Sequence, residues 1–178
     1  MIETERLVLR GWRDSDVVPF HAICNDPEVM RYLGPPLSLA DAQAAAERQN
    51  GLIETHGHCF WAVERKADGA FLGFTGIKPG PEGTPLHGKP EIGWRLATAF
   101  HGQGYAREAA QASIDWGWAN LPDDEILAMT VLGNAASWGL MERLGMQRIH
   151  ALDFDHPAVP PDSPLRPHIV YSIARPAL

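Results

Sequence analysis

Gly102 and Gly104 stand where a strand pattern gives way to a helix pattern. The run is His101-Gly102-Gln103-Gly104-Tyr105-Ala106, and a helical stretch follows over residues 104–120. Glycines at such a junction let the backbone approach a ligand and take conformations that a side chain forbids. The first turn of the helix presents N–H groups that have no intrahelical acceptor. Together they make an anion cradle suited to a pyrophosphate. The helix dipole adds only about 0.3–1 kcal/mol at an exposed end, so direct amide hydrogen bonds must carry the binding. Glu108, in the first turn, suits that dipole and need not touch a ligand. Two common phosphate loops fail on residues: the dinucleotide fingerprint needs a third glycine where Arg107 stands, and a Walker loop needs Gly-Lys-Ser/Thr. A tight strand-to-helix turn with no ligand is the competing reading.

The elements that must hold this loop can be read along the chain. Alternation of apolar and polar residues predicts a strand over 4–13. Asp14 or Ser15 could cap a helix to about residue 24, and a short helix over 27–33 stops at Gly34-Pro35-Pro36. Ser38 opens an alanine-rich helix. Strands are predicted at 59–65 and 71–77 around the turn Asp68-Gly69, and at 91–97 after a Gly/Pro-rich loop. Beyond the helix at 104–120 come a strand at 126–132, a helix at 135–144, a strand at 146–154, a proline-rich loop and a last strand at 168–174. This order lacks the strict alternation of a doubly wound fold, so a mixed α/β sheet in one domain over 1–178 is expected.

Composition narrows the function. The 178 residues are 45% hydrophobic with a net charge of −7, which fits a globular chain and shows no Lys/Arg block for nucleic acid. The charged N-terminus resembles no signal peptide, and no apolar run reaches membrane-spanning length, so a cytoplasmic protein without membrane contact is expected. Cys24 and Cys59 have no metal-ligand spacing, and His56-Gly57-His58 has none on a regular element, so no metal is expected.

Residues 91–110 resemble the acetyl-CoA-binding motif of the GNAT acetyltransferase superfamily, whose loop reads Arg/Gln-x-x-Gly-x-Gly/Ala. His101 departs from it at the first position. Asn134, Ser137, Glu142, Arg143, Gly145 and Met146 match the second half of that motif. The N-terminal and late segments are similar to the ribosomal-protein-alanine N-acetyltransferase branch. The resemblance implies a mostly antiparallel seven-stranded sheet with about four helices, and central parallel strands at 91–97 and 126–132 that splay apart. Pantetheine of acetyl-CoA would lie in the gap against backbone groups of Trp94, Leu96 and Thr98. Its phosphates would meet the loop His101, Gly102, Gln103, Gly104, Tyr105 and Ala106, and Asn134, Ser137 and Arg143 would also bind the cosubstrate.

The implied reaction moves acetyl from acetyl-CoA directly to a primary amine. An α-amine has a pKa of about 8 and a lysine about 10.4, so neutralising them at pH 7 costs about 1.4 and 4.6 kcal/mol. Glu91 is the first candidate base, with a strand-end hydrogen-bonding role as its rival. Asp153, Asp155 and His156 precede a loop that overhangs the acceptor site in the family, and are candidates for binding the amine or ordering the loop. Ser137 is the candidate partner of the leaving thiol, with helix capping as its rival. No acyl-enzyme is implied. The acceptor stays open between a protein N-terminus and a small molecule such as an amino acid, polyamine or aminoglycoside. A non-catalytic acyl-CoA sensor and an unrelated phosphate-ligand domain are the other readings. A monomer or homodimer is expected.

Overall fold

The structure, a computed structural model, describes residues 1–177. Leu7 and Leu9 are fully buried with half-exposed Val8 between them, the period of a strand with one apolar face. They form β2 (Leu7–Arg10), shorter than the predicted strand. The chain turns just before it, where the Thr4 N–H donates to the Leu7 carbonyl at 3.0 Å, and β1 (Ile2–Glu3) folds back to pair with it.

Three helices follow. In α1 (Asp14–Ile23) the N-cap is Arg13, one residue earlier than expected, because the Asp16 carboxylate reaches back to the Arg13 N–H at 2.8 Å. Asp26 caps α2 (Pro27–Met30), and Ser38 caps α3 (Leu39–His56) by accepting from the Asp41 N–H. The strands β3 (Phe60–Arg65), β4 (Phe71–Pro79) and β5 (Pro90–Leu96) make an antiparallel meander. Then come α4 (Tyr105–Asn120), β6 (Glu125–Thr130) and α5 (Ala135–Arg143). The chain ends in β7 (Gln147–Arg148), β8 (Phe154–Asp155) and β9 (Pro167–Ala174).

The sheet runs β1-β2-β3-β4-β5-β6-β9-β7, with β8 also on β9. The expected strand over 146–154 is split. Between Arg148↔Tyr171 and Phe154↔His168 the chain advances six residues against three on β9, so three residues have no partner and curl into a 3₁₀ turn, His150–Leu152. With β1, this turns the expected seven strands into nine, and the helices number five among the described residues.

Helices cover both faces. Ile92 and Trp94 of β5 pack with Ala110 and Ile114 of α4 and with Leu140 and Met141 of α5. On the other face Phe74 of β4 packs with Phe20 and Cys24 around α1 and with Ala42 and Ala46 of α3. Alternation along β5 therefore sends Ile92, Trp94 and Leu96 towards α4, and Glu91, Gly93 and Arg95 towards the α1–α3 side. No helix of the described residues is long and apolar enough to cross a membrane.

Candidate active site

The parallel neighbours β5 and β6 share one registered pair, Glu91↔Leu127. By contrast, β4 and β5 stay paired from Pro79↔Pro90 to Gly73↔Leu96. Beyond Glu91 the two strands part, and a cleft of about 820 Å³ opens between them. The Ala97 N–H donates to Leu72 of the β4 side at 2.9 Å. Alternation then turns the backbone groups of Trp94 and Leu96 the other way, into the gap.

The loop at the open end is held from three sides. His101 Nε2 lies 2.9 Å from the Leu96 carbonyl, which requires the proton on that nitrogen. Gln103 Nε2 donates to the Ala99 carbonyl at 2.8 Å, and the Gln103 carbonyl accepts from Arg6 Nη1 at 3.0 Å. Thr98 Oγ1 donates to Asp26 Oδ2 at 2.9 Å. Gly102 and Gly104 both have positive φ, 71° and 81°, in the left-handed region open to glycine. The first backbone bond into α4 runs from the Glu108 N–H to the Gly104 carbonyl at 3.0 Å. The amides of Tyr105, Ala106 and Arg107 ahead of it have no intrahelical acceptor. A Cβ on Gly102 would point into open space. Glu108 does not line the cleft: Thr4 Oγ1 and the Arg6 N–H donate to its Oε1, and Arg6 Nε to its Oε2. Against the upward push of burial, these bonds hold its carboxyl below the usual range.

The cleft brings most of the expected site residues together. Glu91, Trp94, Leu96, His101, Gly102 and Gly104 line it, as do Tyr105, Ala106, Asn134, Ser137 and Arg143. Thr98 and Gln103 do not; their side chains brace the loop. Asn134 is the N-cap of α5 yet its side chain makes no capping bond, and Ser137 lies inside the helix, donating its N–H to the Asn134 carbonyl.

Asp153, Asp155 and His156 stand outside the cleft lining. Asp153 accepts from Arg148 Nη2 at 2.7 Å and from the Val170 N–H at 3.3 Å, closing the turn that splits the expected strand. Asp155 is exposed and pairs with Arg166 at 3.4 Å. His156 lies 4.9 Å, ring to ring, from His168, which does line the cleft. Burial, then His168 and Lys78, hold the His156 pKa below its ordinary value.

Glu91 is 6% exposed at the closed end of the cleft, and Lys78, its register partner on β4, ion-pairs with it. Burial pushes the Glu91 carboxyl up and the ammonium pulls it back only in part. The Lys78 ammonium lies 5.1 Å over the Phe60 ring, and Phe60 stacks on Phe74 at 5.2 Å. These rings line the cleft, as do Arg95 and Tyr32, and sequence reasoning missed all four. Period-two counting from Glu91 could have found Arg95. No local signal marks Tyr32, which reaches the cleft from beyond α2 and packs against Gly133.

An acetyltransferase (GNAT) domain profile matches residues 6–147. The chain belongs to the GNAT acetyltransferases. This GNAT acetyltransferase is 34% identical over 147 residues to YkkB of Bacillus subtilis, an uncharacterised protein, covering 80% of this chain and 83% of that one. An acetyltransferase of Agrobacterium tumefaciens superposes with a TM-score of 0.78 at 26% identity, over 98% of this chain and 94% of that one. The ribosomal-protein-S5-alanine acetyltransferase of Vibrio fischeri shares the fold, with a TM-score of 0.73 at 18% identity over 97% and 95% of the two chains. The residues present fit a coenzyme A: glycine-opened amides and the exposed Arg107 and Arg143 line the cleft, and the Trp94 backbone, turned away from β4, faces it along the gap.

Proposed function

We propose that this GNAT acetyltransferase moves acetyl from acetyl-CoA directly to an α-amine, at a protein N-terminus or on a small molecule. The observation that carries this reading is the single-pair junction of β5 and β6 beside a loop of left-handed glycines. When bound, acetyl-CoA supplies an activated thioester whose thiol, with an ordinary pKa of about 8.5, is a fair leaving group. A C–N bond forms as the C–S bond breaks, and the proton lost by the amine balances the one gained by the thiol.

Each role falls to a residue on the cleft. The amides of Tyr105, Ala106 and Arg107 hold phosphate oxygens, and the gap-facing backbone of Trp94 with the Leu96 N–H bonds an extended amide chain as an added strand would. Glu91 accepts the amine proton, directly or through a water. Burial raises its basicity and the ion pair with Lys78 offsets only part of that rise; an α-amine, at about 1.4 kcal/mol to neutralise, asks less of this base than a lysine at about 4.6 kcal/mol. The Ser137 hydroxyl donates to the leaving sulfur. Cys24 and Cys59 are not nucleophiles in this reading: both are buried, and burial pushes the Cys59 thiol up to about 12 and the Cys24 thiol up as well.

The test is amine-dependent release of CoA thiol from acetyl-CoA, with calorimetry of CoA binding beside it. Release with α-amines ahead of lysine side chains supports the reading. CoA binding without release on any amine favours a sensor, and absence of CoA binding overturns the reading.

A further inference from the structure

Arg95 is partly buried on the face of β5 turned away from α4, and it lines the cleft. Its guanidinium lies 5.5 Å over the Phe74 ring. Nη1 donates to Cys24 Sγ at 3.1 Å, while Nε is buried with no partner. A thiol is a weak acceptor. Burial pushes the Cys24 thiol up and Arg95 pulls it back only in part, so at neutral pH it brings no negative charge. Glu28 lines the same cleft but forms no ion pair with Arg95, and Asp26 is taken up by Thr98 and the Glu28 N–H.

The contrast with the other arginines is informative. Among the described residues, Arg6, Arg10, Arg65, Arg148, Arg166 and Arg175 are the others that are at least partly buried, and each meets a carboxylate, Arg148 included although its Nε, like that of Arg95, has no partner. Arg95 alone of this set meets no carboxylate. Taking a guanidinium out of water is unfavourable unless an anion or a full set of acceptors compensates it, and a planar fork of donors fits a carboxylate in two parallel bonds.

We propose that Arg95 binds the carboxylate of the acceptor, and that the acceptor is a small amino acid-like molecule, an amine beside a carboxylate. This rests on the acetyl-transfer reading. The other possible anion is a phosphate of the cosubstrate, and placement argues against it. The amide loop leads into α4 and Arg143 ends α5, whereas Arg95 is on the opposite face of β5, against the Phe60–Phe74 stack and α1. The stack offers an apolar surface beside the charge, suited to an acceptor with an apolar side chain.

The test compares matched acceptors in the thiol-release assay: phenylalanine with phenethylamine, leucine with isopentylamine, alanine with ethylamine. The wild type should prefer the carboxylate-bearing member by about tenfold to a hundredfold in kcat/KM. Arg95→Met should abolish that preference through KM, Arg95→Lys should keep part of it, and CoA affinity by calorimetry should hold in both. Acetylation without preference in any pair overturns the proposal and leaves the transfer reading standing. A preserved preference with weakened CoA binding in Arg95→Met also overturns it, and assigns Arg95 to a phosphate. Should no amine be acetylated, the transfer reading fails, and Arg95 is then judged by binding. N-acetylphenylalanine and N-phenethylacetamide are titrated into CoA-saturated protein. Arg95-dependent binding of the acid alone supports the anion site, and equal or absent binding of the two overturns it.

Discussion

Lys78 and Glu91 face each other across β4 and β5, and their ion pair sits where β5 and β6 make their one registered contact. The cleft opens from that point, so the buried charge pair marks its closed end. Replacing Lys78 with Met removes the charge that favours ionised Glu91, and its pKa, already raised by burial, rises further. A base must be ionised to act, so the ascending limb of kcat against pH should move to higher pH. Glu91→Gln should lower kcat by about a hundredfold. A pH–rate series on the two variants checks both, and an unmoved limb with unchanged kcat would make the pair structural.

Gly104 begins α4 at φ 81°, and a side chain there is strained as well as obstructive. Gly104→Trp should weaken CoA binding by about tenfold or more and lose about 1–2 kcal/mol of stability. Calorimetry and urea unfolding separate the two effects.

Ser137→Ala removes one hydroxyl from the cleft while leaving the α5 backbone intact. A loss of about two- to tenfold in kcat, with CoA affinity held, is the expected result for a group that hydrogen-bonds a leaving thiol. Equal rates for mutant and wild type would assign no chemistry to it.

Gly93 lies under Phe60, whose Cζ is 2.6 Å from where a Cβ would stand. Gly93→Ala should push the ring off its stack with Phe74 and cost about 1–3 kcal/mol. Adding Phe60→Leu should recover part of that loss in a urea melt, since the smaller side chain frees the space.

Glu108 joins α4 to the N-terminal turn through Thr4 and Arg6. Its folded pKa is depressed, so its contribution is present above the unfolded value of about 4.3 and is lost as pH falls through the folded value. Glu108→Gln should be less stable by about 1–2 kcal/mol at pH 7, the bonds being partly exposed to solvent. The gap should close in acid, which a pair of melts at pH 7 and pH 3 would read.

Much of the frame was legible along the chain because its signals are local. Ser38 capping α3 depends on neighbours within a turn, and so does the pair Gly102/Gly104, whose left-handed backbone opens the amides of α4. The alternation of β5 is equally local, and it already implied which face Glu91 and Arg95 share. Distant contacts decided the rest. The strand expected over 146–154 breaks because its register against β9 leaves three residues over, and register exists only between strands. The split draws Asp153 into closing a turn instead of facing the cleft. Tyr32, Phe60 and Phe74 reach the cleft from segments far from its loop, so no spacing in the sequence could name them. Charge pairing was likewise unreadable: Lys78 meets Glu91 across a sheet, while Arg95 meets no carboxylate of the described residues. Spacing can place an ionisable side chain on a face, but only the packed structure determines what stands opposite it, and that partner sets its chemistry.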